Sequence, residues 1–375
     1  MKKNILADAI LILILICSGC AFGSAGGASV DTEAVRHTEK EDSISNEKQD
    51  LTLGDQHVCS VTELGGGIVA FITENQERDI FCEIVNTSEN QVLAKITDAS
   101  FDRNMTVRKH NQNLVLYTSS NQVFVVDDTY AITDTIDMTE YATGNGFSYQ
   151  YIIDPIRKKK IVIMPGEMDD TLGKIVEMNY DGSDEELLMQ ILSPEKGNQI
   201  NEVYGMELSE DGSCIFLSGA YFESAEAGED GEICIGVLDR ESLETWIYPT
   251  GLTFYQEFEN ACLYYEGFVE YGTEAGGTAA VLYTDGKEET ITFDEKWQSQ
   301  CLFISDKGNY LGAYADPETG AKENMVSLYD RATEEPVADI VFDHVLYEMI
   351  ICEDSHTVYG FYYDNGETEI EAETF

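Results

Sequence analysis

Basic residues are scarce: 22 Lys and Arg stand against 71 Asp and Glu, a formal charge of −49 over 375 residues. A nucleic-acid-binding protein neutralises phosphates with clustered Lys and Arg, so this balance excludes that class. Proline is rare too, at six residues, and the longest apolar run, Ala9 to Cys17, has nine. That run is about half of the ~18 residues needed to cross hydrocarbon, which disfavours a permanent transmembrane helix. The sequence holds no G-x-S-x-G elbow, H-E-x-x-H helix, Walker loop or Rossmann glycine pattern, the usual local signs of catalysis or nucleotide binding. No CxxC or Cys/His spacing suggests zinc. Acid pairs of the glycosidase kind abound, and in so acidic a chain they carry no information. What is plentiful is apolar and aromatic: 43% and 10% of residues, too much for a disordered polyanion.

The first residues read as an address. Met1-Lys2-Lys3 is cationic, the apolar run follows, and Ser18-Gly19-Cys20 closes it, as in a secretory leader. The Ser-Gly-Cys ending resembles the lipobox of bacterial lipoproteins, with Cys17 where that family usually has Leu. The resemblance implies cleavage after residue 19 and lipid attachment at Cys20, hence a membrane-anchored, extracytoplasmic protein. Residues 20–50 then carry Gly, Ser and charge without aliphatic periodicity and are expected to form a flexible linker, with an r.m.s. reach of about 30 Å.

From Leu51 to Phe375, runs of four to eight residues rich in Val, Ile, Tyr and Phe are broken every eight to twelve by Gly, Asp, Asn or Pro. That pattern points to an all-β domain. A strand-turn-strand element recurs at Met206–Phe216, Leu302–Gly312 and Ile350–Gly360, with a degenerate copy at Ile152–Val162. A second element ends on Asp, at Asp127, Asp181, Asp239, Asp285 and Asp330, where a carboxylate can accept turn N–H groups. The units begin near His57, Met105, Ser148, Val203, Thr253, Ser299 and Leu346, a spacing suited to four strands. A seven-bladed β-propeller of four-stranded blades is expected, its ring closed by an N-terminal strand at Leu51-Thr52-Leu53. Six or eight blades follow if the poorly marked fifth unit is divided differently, and a two-sheet sandwich is the structural alternative. All six prolines are expected in connections, away from inner strands. The units resemble TolB-like and YVTN-like propeller repeats of bacterial envelope proteins, chiefly at Ser209-Glu210-Asp211-Gly212 and Tyr180-Asp181-Gly182-Ser183.

With strands a to d counted outward, a–b and c–d turns share one face and the b–c and d–a connections the other. The long excursions all fall on the second face, where recognition usually resides. Candidate binding residues there are Tyr141, Phe147, Asp169, Asp170, Tyr221, Glu229, Asp230, Tyr271, Trp297 and Asp316: aromatics that stack on sugars or pack on proteins, and acids that attract cations. No segment matches a spaced Ca²⁺ loop, so no cofactor is expected and calcium stays a weak alternative. The short-turn face carries Arg157, Lys158, Lys159 and Lys160, a candidate contact with a membrane surface. A tether entering from that face would turn the long loops away from the membrane. The cysteines after Cys20 are expected as small buried hydrophobes in strands, with Cys214 and Cys234, on adjacent strands, as a possible bridge. The function expected is non-catalytic binding of a protein or glycan by a monomer. The alternatives are a surface enzyme acting on glycans or peptides from the same face and, through the family resemblance, a TolB-like assembly factor.

Overall fold

The computed structural model describes residues 56–141, 151–166, 171–192, 200–221, 232–249, 254–258, 261–265, 278–285, 287–292, 299–305, 307–315, 324–333, 335–346, 348–364 and 367–375. Blade 1 is β1 His57–Glu63, β2 Ile68–Glu74, β3 Ile80–Asn86 and β4 Gln91–Ile96. Blade 2 is β5 Thr106–His110, β6 Asn113–Tyr117, β7 Gln122–Val126 and β8 Ile132–Asp137. Blade 3 comprises β9 Tyr151–Asp154, β10 Lys159–Pro165, β11 Thr171–Asn179 and β12 Glu186–Leu192. In blade 4 are β13 Ile200–Leu208, β14 Cys214–Tyr221, β15 Glu232–Asp239 and β16 Thr245–Pro249. Blade 5 holds β17 Phe254–Phe258, β18 Ala261–Tyr265, β19 Thr278–Tyr283 and β20 Glu288–Thr292. Blade 6 holds β21 Ser299–Ile304, β22 Tyr310–Ala315, β23 Met325–Asp330 and β24 Glu335–Val341. Blade 7 is described as β25 Glu348–Cys352, β26 Thr357–Asp364 and β27 Glu367–Thr374.

Within each blade consecutive strands pair antiparallel, and β1 pairs with both β2 and, through Val58 and Thr368, β27. The N-terminal strand thus joins the two ends of the ring in a seven-bladed β-propeller. The further strand expected at Leu51-Thr52-Leu53 lies outside the described residues.

The core lies between blades, and strand periodicity puts it there. On β6, Leu114 and Leu116 pack toward blade 1 with Ile72, Ile84 and Val107, while Val115 and Tyr117 pack toward blade 3 with Ile153, Val162 and Val176. On β2, Ala70 and Ile72 face blade 2, and Val69 and Phe71 face Tyr359 and Phe361 of blade 7. Alternate residues serve opposite neighbours, so the inner strands read as continuous apolar runs. Outer strands are half-exposed, as in β4, where only Ile96 is buried.

Two expectations are corrected. Pro165 ends β10, Pro249 ends β16 and Pro336 is the second residue of β24. β16 and β24 are outermost, where a missing N–H breaks no ladder bond, and Pro165 sits at a strand end. Cys214 and Cys234 do lie on adjacent strands, but Cys214 pairs with Asp239 and Cys234 with Gly219, five positions along the ladder. Both are free thiols, since a disulfide needs Cα atoms within about 7 Å.

Glycine sets the tightest packing in blade 4. A Cβ on Gly219 would stand 2.1 Å from the Glu202 carbonyl oxygen, beside the bulge between Val203 and Gly205. Backbone cannot swing aside as a side chain does. Gly219→Ala is therefore expected to lower unfolding free energy by about 1–3 kcal/mol, the usual cost of overpacking, measured by denaturant titration. Mass spectrometry under non-reducing conditions should find Cys214 and Cys234 unbridged.

Candidate functional site

The two faces of the ring are built differently. At the short-turn face, the closing Asp of the c–d hairpin holds the backbone in blades 2 to 6, and Asn86 takes the same place in blade 1. Asp127 accepts from the N–H groups of Thr129 and Ala131, and Asp181 from Ser183. Asp239 accepts from Glu241 and Ser242, Asp285 from Lys287, and Asp330 from Ala332 and Thr333. The hydroxyls of Thr129 and Ser183 add to this and lower the carboxyl pKa of Asp127 and Asp181. Acids are therefore plentiful on this face also, as turn acceptors. The a–b hairpins place Asn111, Lys158, Gly212, Gly308 and His356 at positive φ, the left-handed geometry that Gly and Asn reach at least cost.

Below these turns the blades are joined by polar contacts that the sequence did not announce. Arg240, on the β15–β16 turn, is fully buried and reaches back into blade 3. Its Nη1 donates to Asp154 Oδ2 and to the Gly212 carbonyl, both at 2.6 Å, and Nη2 donates to Glu177 Oε2 at 2.7 Å. The other oxygen of Asp154 accepts the N–H groups of Ile156 and Arg157. Two blades on, Arg331 repeats the gesture from the β23–β24 turn, to Tyr283 Oη at 2.6 Å and Glu289 at 3.3 Å in blade 5. Glu353 ties blade 7 to blade 6 by accepting from Ser305 Oγ and from both nitrogens of Asn309. Arg108 of β5 grips Glu207 of β13 through two nitrogens, and Lys109 meets Glu210 at 3.2 Å. These last pairs connect blades 2 and 4 past the short inner strand of blade 3.

The described residues offer little reactive chemistry. Burial, with Glu74 adding to it, pushes the Cys59 thiol up to about 11, and burial drives Cys82 and Cys234 to about 12. A thiol so held is protonated and a poor nucleophile. Among the described residues no cluster of three or more His, Cys, Asp or Glu side chains could hold a metal ion. No helix among them is long and apolar enough to cross a membrane.

The opposite face receives the long connections. Residues 222–231, 266–277 and 316–324 join β14 to β15, β18 to β19 and β22 to β23. Phe147, Asp169, Asp170, Glu229, Asp230, Tyr271, Trp297 and Asp316 lie outside the described residues. Tyr221 is the last residue of β14, opposite Ile200 and Glu232, half-buried at the base of the 222–231 connection. Tyr141, on a 3-10 turn (Thr139–Tyr141), is turned inward: its hydroxyl meets Met178 Sδ at 3.6 Å and its ring lies 4.7 Å beneath Lys160 Nζ. Lys160 is correspondingly buried, and Lys159 half-buried, within β10. The basic run thus does not act as one exposed patch. Arg157 and Lys158 remain on the surface, Lys158 3.4 Å from Asp134.

No protein-family model matches the chain, and no curated protein matches it. Solved structures do. Hydrazine synthase of Kuenenia stuttgartiensis aligns at TM-score 0.47 and 13% identity over 84% of this chain and 96% of its own. The β-propeller domain of Cps50 (Swd1) from Myceliophteria thermophila aligns at 0.49 and 11%, over 85% and 97%. The β-propeller domain of the Trilobed protease from Pyrococcus furiosus aligns at 0.41 and 13%, over 85% and 82%. Likeness at such identity concerns the fold alone.

Removing Arg240 leaves Asp154 and Glu177 as buried, unpaired carboxylates, the costly way to break an ion pair. Arg240→Ala is expected to lose about 3–5 kcal/mol of unfolding free energy. Arg331→Ala, whose partner Glu289 is 42% exposed, should lose less than half as much. Equal losses in parallel denaturant titrations would refute the distinction.

Proposed function

We propose that this chain is a lipid-anchored, extracytoplasmic binding protein whose propeller presents a protein or glycan partner with its long-loop face and performs no catalysis. The observation that carries the reading is the asymmetry of the ring. One face is a set of short hairpins closed by Asp acceptors and locked by inter-blade ion pairs; the other receives every long connection. A rigid scaffold bearing long loops at one end is the usual architecture of recognition. The fully engaged buried carboxylates at the locked end, and the protonated Cys59, Cys82 and Cys234 thiols nearer the other end, support a scaffold rather than a reaction centre.

The anchor at Cys20 rests on the lipobox-like Ser18-Gly19-Cys20 ending. Tyr221 is the best-placed contact, at the rim and backed by the rigid β14–β15 ladder. Glu229 and Asp230 follow it on the same connection, suited to a cationic or polar partner surface.

Two measurements test this. Cys20→Ser should abolish incorporation of labelled palmitate and move the protein from the membrane to the soluble fraction; unchanged labelling removes the anchor. That soluble variant, used as bait on detergent-solubilised envelopes, should retain a protein or glycan. Adding Tyr221→Ala, Glu229→Ala and Asp230→Ala should reduce retention at least tenfold. Undiminished retention would move the site elsewhere.

A further inference from the structure

His110 ends β5 and lies at the junction of blades 2, 3 and 4, 2% exposed. One ring nitrogen bonds the backbone of Ser209, just past β13. Nδ1 is buried with no hydrogen-bond partner, so the proton of the neutral ring sits on Nε2, donated to the Ser209 carbonyl. The charged groups around it come from every neighbouring element: Arg108 and Lys109 on its own strand, Asp154 on β9, Glu207 on β13, and Arg240 from the β15–β16 turn, with Glu177 of β11 behind Arg240. Each carboxylate is already taken. Glu207 is held by Arg108, Asp154 by Arg240 and two backbone N–H groups, and Glu177 by Arg240.

A second ring proton therefore has nowhere to go. Nδ1–H would be a buried donor without an acceptor, on a cation set beside two guanidinium groups. We propose that His110 is an acid-sensitive latch: neutral, it fastens the end of β5 to the Ser209 turn of blade 4; protonated, it lets the short-turn ends of blades 2 and 4 part. The inference stands on the closed face and is independent of what the long-loop face binds.

The direction of the effect follows from the two states. Burial first, with Arg108 and Arg240 outweighed in part by Asp154, brings the His110 pKa down from 6.5 to about 4. The unfolded or opened chain then takes up the proton first. Stability from this site is intact above pH ~6.5, declines as pH falls, and levels off below pH ~4, a change on the order of 100-fold in the opening equilibrium.

The test is hydrogen exchange on the full chain in detergent at pH 7 and pH 4.5, corrected for intrinsic rates, beside the variant His110→Gln. Its amide can still donate to Ser209 but takes no charge. In the unmodified protein, amides of residues 106–117 and 208–215 should exchange at least tenfold faster at pH 4.5, and in His110→Gln less than twofold faster. Equal acceleration in both proteins, or none in either, overturns the latch. Should His110→Gln fail to fold, histidine ring NMR of the unmodified protein decides. A His110 resonance that stays neutral to pH 5 or below, changing together with local exchange, supports it; a His110 resonance that titrates near pH 6.5 overturns it.

Discussion

Everything in this ring depends on one constraint: an inner strand apolar on both faces must be covered by a blade on each side. β2 and β6 show it residue by residue, with odd and even positions serving different neighbours. Each fully buried Val, Ile or Phe contributes roughly 1.5–3 kcal/mol, so inter-blade packing outweighs any single polar contact. Such packing is weakly directional, because aliphatic surfaces slide. The polar joints at the short-turn end supply register: Arg240 with Asp154 and Glu177, Arg331 with Tyr283 and Glu289, Glu353 with Asn309. Each fixes one blade against the preceding or following one at a defined height.

Division of labour between the faces follows. Charges that lock blades are withdrawn from solvent and from partners, and the Asp residues of the c–d turns are spent on backbone N–H groups. A bulk charge of −49 is thus partly structural. The long connections leave from strand ends already held by those ladders. A partner binding there would meet loops rooted in a stiff base, which limits the ordering cost of association.

Much of the architecture was legible in the chain. The seven expected starts fall within three residues of β1, β5, β9, β13, β17, β21 and β25, because turn Asp and Gly residues punctuate a strict strand period. The Asp acceptors of the c–d turns were legible for the same reason: their chemistry is local. The polar joints were not, since Arg240 lies 86 positions from Asp154 and Arg108 lies 99 from Glu207, and no spacing rule links them. A faint signal was present in the repeated Asp239-Arg240 and Asp330-Arg331. In a chain so poor in Arg, a cation placed where a strand ends calls for a buried acid as partner. The run Arg157 to Lys160 misled for the converse reason: strand alternation carries Lys160 inside, over Tyr141, and adjacency in sequence is not adjacency on a surface.

The central claim is that recognition belongs to the long-loop face and locking to the short-turn face. The most direct measurement is site-specific photo-crosslinking in living cells, with a photoreactive amino acid at Tyr221 in one strain and at Leu243 in another. Leu243 is exposed on the β15–β16 turn, at the other end of the same blade. The account predicts a discrete crosslinked partner from position 221 and none from 243. A partner crosslinked from 243 and absent from 221 would contradict it.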